Sequence, residues 1–242
     1  MKPAIKVLGV PDDINSSFMR GSSAAPPLIR EALFSASSNL FSESGLDLNQ
    51  IGIWEDLGDI EFSGEIEEES FKKIKTFVKD ILDSDQKLVS LGGDHSVSWP
   101  ILDAHLDIWD ALDILHIDAH PDLYDSLLGN KLSHASPFAR IMETGRASRL
   151  VQVGIRTLNK HQREQAEKFG VEIYQMKDLT NLKSLSFSKP VYCSIDIDAL
   201  DPAYAPGVSH FEPGGLSTRQ LIDCLNGFKG RLIGADIVEY NP

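Results

Sequence analysis

The sequence predicts an α/β fold: a three-layer α/β/α sandwich around an eight-stranded, mainly parallel sheet. Three observations carry this expectation. Short unbroken apolar runs, such as Ile114-Leu115-His116-Ile117 and Val191-Tyr192-Cys193-Ser194-Ile195, suit strands buried on both faces. Segments of helical periodicity separate most of these runs. Finally, three clusters of ionisable residues each stand where an apolar run stops, and in an open parallel sheet ligands bind beyond the carboxyl ends of the strands.

Taken in order, residues 4–10 form the first expected strand, and residues 25–37 a helix opened by Pro26-Pro27. The Ser/Gly/Asn-rich stretch 35–50 reads as a surface loop and a candidate subunit contact, and 50–57 as the second strand. Ile66, Phe71, Ile74, Val78 and Ile81 recur at helical spacing, and the acids of 63–69 suit a solvated helix N-terminus, where carboxylates favour the dipole. Strands follow at 88–91, 112–117, 150–155, 171–175, 191–195 and 232–238, with helices at 97–110, 134–144, 160–169 and 217–226. Such alternation implies right-handed crossovers. No internal repeat or linker interrupts it, so residues 1–242 are expected to form a single domain.

A formal net charge of -13 argues against nucleic-acid or anionic-membrane partners and suits a small cationic substrate. The two cysteines, Cys193 and Cys224, make neither a disulfide framework nor a thiolate metal site. The apolar start is too short for a membrane span and lacks transit-peptide character, so a cytoplasmic protein is expected.

The chemistry lies in Gly92-Gly93-Asp94-His95, Asp118-Ala119-His120-Pro121-Asp122 and Asp196-Ile197-Asp198. Singly, each has a structural explanation: a turn with a capping Asp, a polar loop, an Asx turn. Jointly, so many ionisable groups gathered at strand ends call for a counter-charge. In extended chain, residues two apart share a side, so Asp118, His120 and Asp122 would face one way, as would Asp196 and Asp198. His95 and His120 would then offer imidazole nitrogen, and Asp118, Asp122, Asp196 and Asp198 carboxylate oxygen, to divalent ions harder than structural zinc, such as manganese. Two ions about 3.5–4 Å apart share a bridging water and make hydroxide available at neutral pH. His134 and Glu239 stand near the same rim. The first suits proton transfer and the second a bidentate grip on a guanidinium, although an exposed helix-start histidine and an ordinary strand-end acid remain open readings of the bare residues.

The motifs Gly92-Gly93-Asp94-His95-Ser96, Asp118-Ala119-His120-Pro121-Asp122 and Ser194 through Asp201-Pro202 resemble those of the ureohydrolase family, the arginases and agmatinases. The segments Asn15-Ser16-Ser17-Phe18, 129–136, 138–143 and 205–216 look most like the plant-type arginase branch. The resemblance implies two Mn2+ per chain: His95 and Asp122 on one, His120 and Asp198 on the other, Asp118 and Asp196 bridging, and Asp122 also orienting the bridging hydroxide. It further implies that Glu239 grips the guanidinium, that His134 shuttles a proton, and that Asp94 orients a ligand without binding metal. The far end of the substrate is expected to be read within residues 123–131, where Ser126, Asn130 and Lys131 offer donors. The implied reaction is hydrolysis of L-arginine to urea and L-ornithine in a homo-oligomer, a trimer or hexamer; the alternatives are an agmatinase or other guanidino-compound ureohydrolase, and a catalytically silent metal-binding oligomer. Family members normally continue past the Glu-x-Asn-Pro end of the last strand into helical sequence, whereas this sequence stops at Pro242, so one sheet face is expected to be left uncovered.

Overall fold

Strands β1 (Ile5–Val10), β2 (Trp54–Asp59), β3 (Lys87–Gly92), β4 (Leu112–Ile117), β5 (Ala147–Ile155), β6 (Glu172–Gln175), β7 (Ser186–Asp196) and β8 (Lys229–Val238) form one sheet in the computed structural model. Between them run helices α1 (Ala25–Leu33), α2 (Glu67–Leu82), α3 (Ser98–Leu106), α4 (Pro137–Glu143), α5 (Lys160–Phe169) and α6 (Thr218–Gly227). The structure describes residues 5–82, 86–179 and 185–242; Ala4, at the start of the first expected strand, lies outside them. The strand order is β2-β1-β3-β8-β7-β4-β5-β6, and every pairing is parallel.

Alternate residues of the strands sort into two cores, as a period of two requires. Leu112 and Ile114 of β4, Leu150 of β5 and Tyr192 of β7 pack with α2, α3 and α4 in one core. Leu115, Ile117, Val151, Val153, Val191 and Cys193 meet Leu221 and Cys224 of α6 in the other. Over β1, β3 and β8 the two faces differ. Leu8, Leu88 and Val238 are buried beneath helices, whereas Val7, Val89, Ala235 and Ile237 on the opposite face are only partly covered.

Several boundaries depart from the sequence reading. The helix expected over 134–144 is α4, which begins at Pro137. Proline's fixed φ suits a first helical turn and frees the preceding residues, so His134 stands in a loop. α1 stops at Leu33 rather than residue 37, where the serines of 35–38 bond one another and the carbonyl of Ala32 instead of continuing the helix. The second strand lies a few residues later than expected, at Trp54–Asp59.

Strand order and register position the site. β3, β8, β7 and β4 are neighbours though far apart in sequence, and Leu91 pairs with Ile237, Val238 with Asp196, and Ile195 with Ile117. Four carboxyl ends therefore finish level, and whatever follows each is delivered to one spot.

Candidate metal centre

Each strand end is followed by a turn with its own lock. After β3, Asp94 caps the turn His95–Val97, accepting from the backbone N–H of Ser96 at 2.9 Å and of Asn15 at 3.0 Å. Its carboxylate touches backbone and serine hydroxyls, so it orients His95 through the turn. Gly93 is glycine because a Cβ there would stand 2.0 Å from the carbonyl oxygen of Asp12. After β7, Asp196 accepts from the N–H of Asp198 at 2.8 Å and closes the turn Ile197–Ala199. After β4, Asp118 accepts from the N–H of His120 at 2.7 Å, and Asp122 takes a left-handed backbone at φ 50°. The expected alternation along extended chain is corrected on this point. The acids do converge, but through turns beyond the strands, with Asp196 the last strand residue and Asp198 inside a 3-10 turn.

Two groups result. Nδ1 of His95 lies 3.2 Å from Asp118 Oδ2, 3.0 Å from Asp122 Oδ2 and 3.1 Å from Asp196 Oδ2. None of these is aligned as a hydrogen bond, and the nitrogen is buried without a hydrogen-bond partner. Buried ring nitrogens are seldom left so. A lone pair and three carboxylate oxygens facing one point are what a shared cation requires. Nδ1 of His120 lies 3.0 Å from Asp198 Oδ2 and 3.5 Å from Asp118 Oδ1. Asp118 thus turns one oxygen to each histidine, and His95, Asp118 and Asp122 on one side and Asp118, His120 and Asp198 on the other form groups able to hold an ion. Burial, joined by the charges of Asp198 and Asp118, pushes the Asp196 carboxyl well above the usual range, and burial lifts Asp198 to about 6. Such a set resists full ionisation until cations lie among its members.

His116, which the sequence reading did not single out, also faces this cluster. Its Nε2 is 2.7 Å from Asp118 Oδ2, and Gln152 Nε2 reaches both His116 Nδ1, at 3.0 Å, and the carbonyl of Pro121, at 2.6 Å. A carbonyl only accepts, so the Gln152 nitrogen is an amide donor, His116 Nδ1 accepts, and His116 Nε2–H donates to Asp118. His116 therefore orients a carboxylate and has no lone pair left for an ion. The signal was a polar residue inside an apolar strand, two before Asp118.

A cavity of about 250 Å³ opens over the cluster, lined by His120, Asp122, Asp196 and Asp198 together with His134 and Glu239. Glu239, left-handed at φ 62°, accepts from the N–H of His95 at 2.9 Å and lies 3.0 Å from His134 Nδ1. Burial opposes charge on His134, but the bond to Glu239 outweighs it and raises its pKa to about 9. Ser17 Oγ sits 2.8 Å from the other ring nitrogen. Tyr124, Leu127, Thr157, Gln162, His210 and Glu212 complete the wall. Tyr124 and Leu127 lie within the segment 123–131 expected to read the far end of the substrate, and His210 and Glu212 within the plant-type segment 205–216; His210 stacks on His134, and Glu212 Oε1 backs His120 Nε2 at 3.4 Å. Ser126, Asn130 and Lys131 do not line the cavity. The Asn130 amide is spent on Asn15 at 3.0 Å and its Oδ1 on the N–H of Leu132 at 2.7 Å.

Comparison with known proteins bears on this arrangement directly. The family described as "Arginase family" matches residues 3–242. The chain belongs to the arginase family. It is 46% identical over 255 residues to "Arginase 2, chloroplastic/mitochondrial" of Arabidopsis thaliana, covering 100% of this chain and 74% of that protein. The solved structure "Arginase from Medicago truncatula" superposes with a TM-score of 0.94 at 45% identity, covering 99% of this chain and 80% of the other. A more distant relative, the "Agmatinase" of Bacillus cereus, is 34% identical over 98% of this chain and 83% of its own length. The arginase-like sheet and the plant-type resemblance of the sequence are both borne out. Among the described residues, no helix of this arginase-family chain is long and apolar enough to cross a membrane.

Proposed function

We propose that the chain hydrolyses L-arginine to urea and L-ornithine at a binuclear manganese site. The observation that carries this reading is the pair of His/Asp groups sharing Asp118, set in one cavity with Glu239 and His134. His95 and Asp122 would hold one ion and His120 and Asp198 the other, with Asp118 and Asp196 between them; the oxygen-rich donor set and the lone pair on His95 fit such cations. When bound, the ions supply Lewis acidity and bring the pKa of water from about 15.7 towards 7.

The chain's own residues do the remaining work. Glu239, buried and anionic, receives the substrate's guanidinium through parallel N–H bonds and holds its carbon beside the cluster. His134, held between Ser17 and Glu239, carries a proton to the leaving nitrogen as the bond from the guanidino carbon to the ornithine side chain breaks and the water oxygen stays with urea. Arg156 holds the loop of Asp198 and Glu212 by donating to their carbonyls at 2.7 and 2.6 Å. Beyond the guanidinium the substrate meets Tyr124, Thr157 and Gln162 in place of Ser126, Asn130 and Lys131.

One observation favours agmatine: neither lysine nor arginine is among the described residues lining the cavity, so a substrate carboxylate would meet neutral donors. Urea release from a panel of L-arginine, agmatine and other guanidino compounds, assayed with Mn2+, separates the two. Release from arginine is expected; release from agmatine or another compound without arginine overturns the assignment. The reading also includes a single domain, a trimer or hexamer, and a cytoplasmic location. Exposed Phe34, Phe41, Leu46 and Ile51 around the 35–50 loop offer an apolar contact surface, and two free thiols suit a reducing compartment.

A further inference from the structure

Asp236 is a buried carboxylate that the reaction does not use. It lies on β8 directly opposite Ser194 on β7, and neither is exposed. Its Oδ1 accepts from Ser194 Oγ at 2.6 Å, and its Oδ2 from Tyr192 Oη at 2.8 Å. Both distances are those of hydroxyls donating to a carboxylate. Both donors are neutral, so neither cancels the charge, and a buried carboxylate is retained only where something answers it.

The answer runs through Ser194. Its single proton is committed to Asp236, so its oxygen accepts from His95 Nε2 at 3.0 Å. The proton of the His95 ring is thereby drawn to Nε2, and the Nδ1 lone pair is turned on the oxygens of Asp118, Asp122 and Asp196. A carboxylate behind a ligating imidazole makes it a better donor and fixes its orientation. Here the carboxylate acts at one remove, through a serine hydroxyl.

We infer that Asp236, steadied by Tyr192 and relayed by Ser194, is a positioning residue that sets the affinity of the His95 side for its cation. The inference rests on the binuclear reading of the site. Its test titrates Mn2+ into the metal-stripped full chain and follows the free-ion electron paramagnetic resonance signal together with the exchange-coupled spectrum of paired ions, the fold of each variant being checked by circular dichroism. Wild type takes up two ions. Asp236→Asn, nearly equal in volume but able to present N–H to Ser194, weakens one ion by about 10–100-fold and leaves the other unchanged. Ser194→Ala does the same, and adding Asp236→Asn in that background costs nothing further because the relay is already cut. Tyr192→Phe gives a smaller loss at the same ion. Unchanged uptake by Asp236→Asn, equal weakening of both ions, or a full additional loss in the Ser194→Ala background overturns the proposal. Fewer than two ions on wild type overturns the binuclear reading itself.

Discussion

Glu239 carries its carboxylate on a left-handed backbone, a conformation that costs a non-glycine residue about 1–2 kcal/mol. Asp122 does the same, so two of the four described non-glycine residues with positive φ belong to the proposed site. Such strain persists where surrounding contacts over-determine it, and at Glu239 those contacts are the N–H of His95 and the ring of His134. Glu239→Gln keeps the shape and the accepting oxygen but loses the charge. A hydrogen bond to a charged group is worth about 1.5–3 kcal/mol, so KM for arginine is expected to rise about 10–100-fold with two Mn2+ still bound. Steady-state kinetics beside metal analysis checks this; an unchanged KM removes Glu239 from the guanidinium. At this scale the six candidate ligand positions were legible because acids and histidines stand out against apolar runs. His116 and Glu212 were not, because the tautomer that aims His116 at Asp118 is set by Gln152 on the neighbouring strand, and Glu212 meets His120 between loops.

At the scale of elements, each ligand depends on how a strand ends. The turn after β3 is tied to the first strand's loop by the bond from Asp94 N–H to Asp12 carbonyl at 3.0 Å, and to β8 by Glu239 N–H to Gly93 carbonyl at 2.8 Å. Gly93→Ala would press a methyl into Asp12 and spread both ties. Overpacking costs about 1–3 kcal/mol, or a melting temperature lowered by about 2–10 °C in a chain of this size, and Mn2+ affinity should fall with it. Calorimetry that finds the wild-type melting temperature in this variant refutes the constraint. Most strands were legible from their apolar runs. Helix ends were less so, since Pro137 and the serines after Leu33 decide them by local bonding that periodicity does not register. The loop that reads the far end of the substrate was located, but its inward residues are Tyr124 and Leu127.

For the whole molecule, buried charge couples stability to conditions. Two bound cations stabilise only the folded chain, by about 2.7 kcal/mol for each site at a hundredfold excess over Kd. Chelation should lower the melting temperature and added Mn2+ restore it; identical melting with and without metal contradicts the site. His105 gives a second coupling away from the centre. Its Nδ1–H donates to the carbonyl of Ile101 at 2.9 Å, its Nε2 is buried without a partner, and burial lowers its pKa to about 4. The unfolded chain binds a proton near pH 6.5 that the folded chain refuses. Stability is therefore fully present above about 6.5 and is lost as pH falls towards 4, by at most about 3 kcal/mol. Urea unfolding at pH 7 and pH 5 should show a smaller loss in His105→Leu than in wild type; equal losses refute the assignment.

By itself the sequence determined the parallel α/β architecture, the six candidate ligand positions and the presence of His134 and Glu239 on the same rim, because these rest on residue type and on spacing along the chain. Tertiary structure alone decided which carboxylate serves both histidines, that His116 orients rather than binds, and that Ser126, Asn130 and Lys131 face elsewhere. The physical reason is that a side chain's direction depends on the turn that follows its strand and on the strand beside it. In a parallel sheet that neighbour comes from a distant part of the chain, as Asp236 comes to stand behind Ser194.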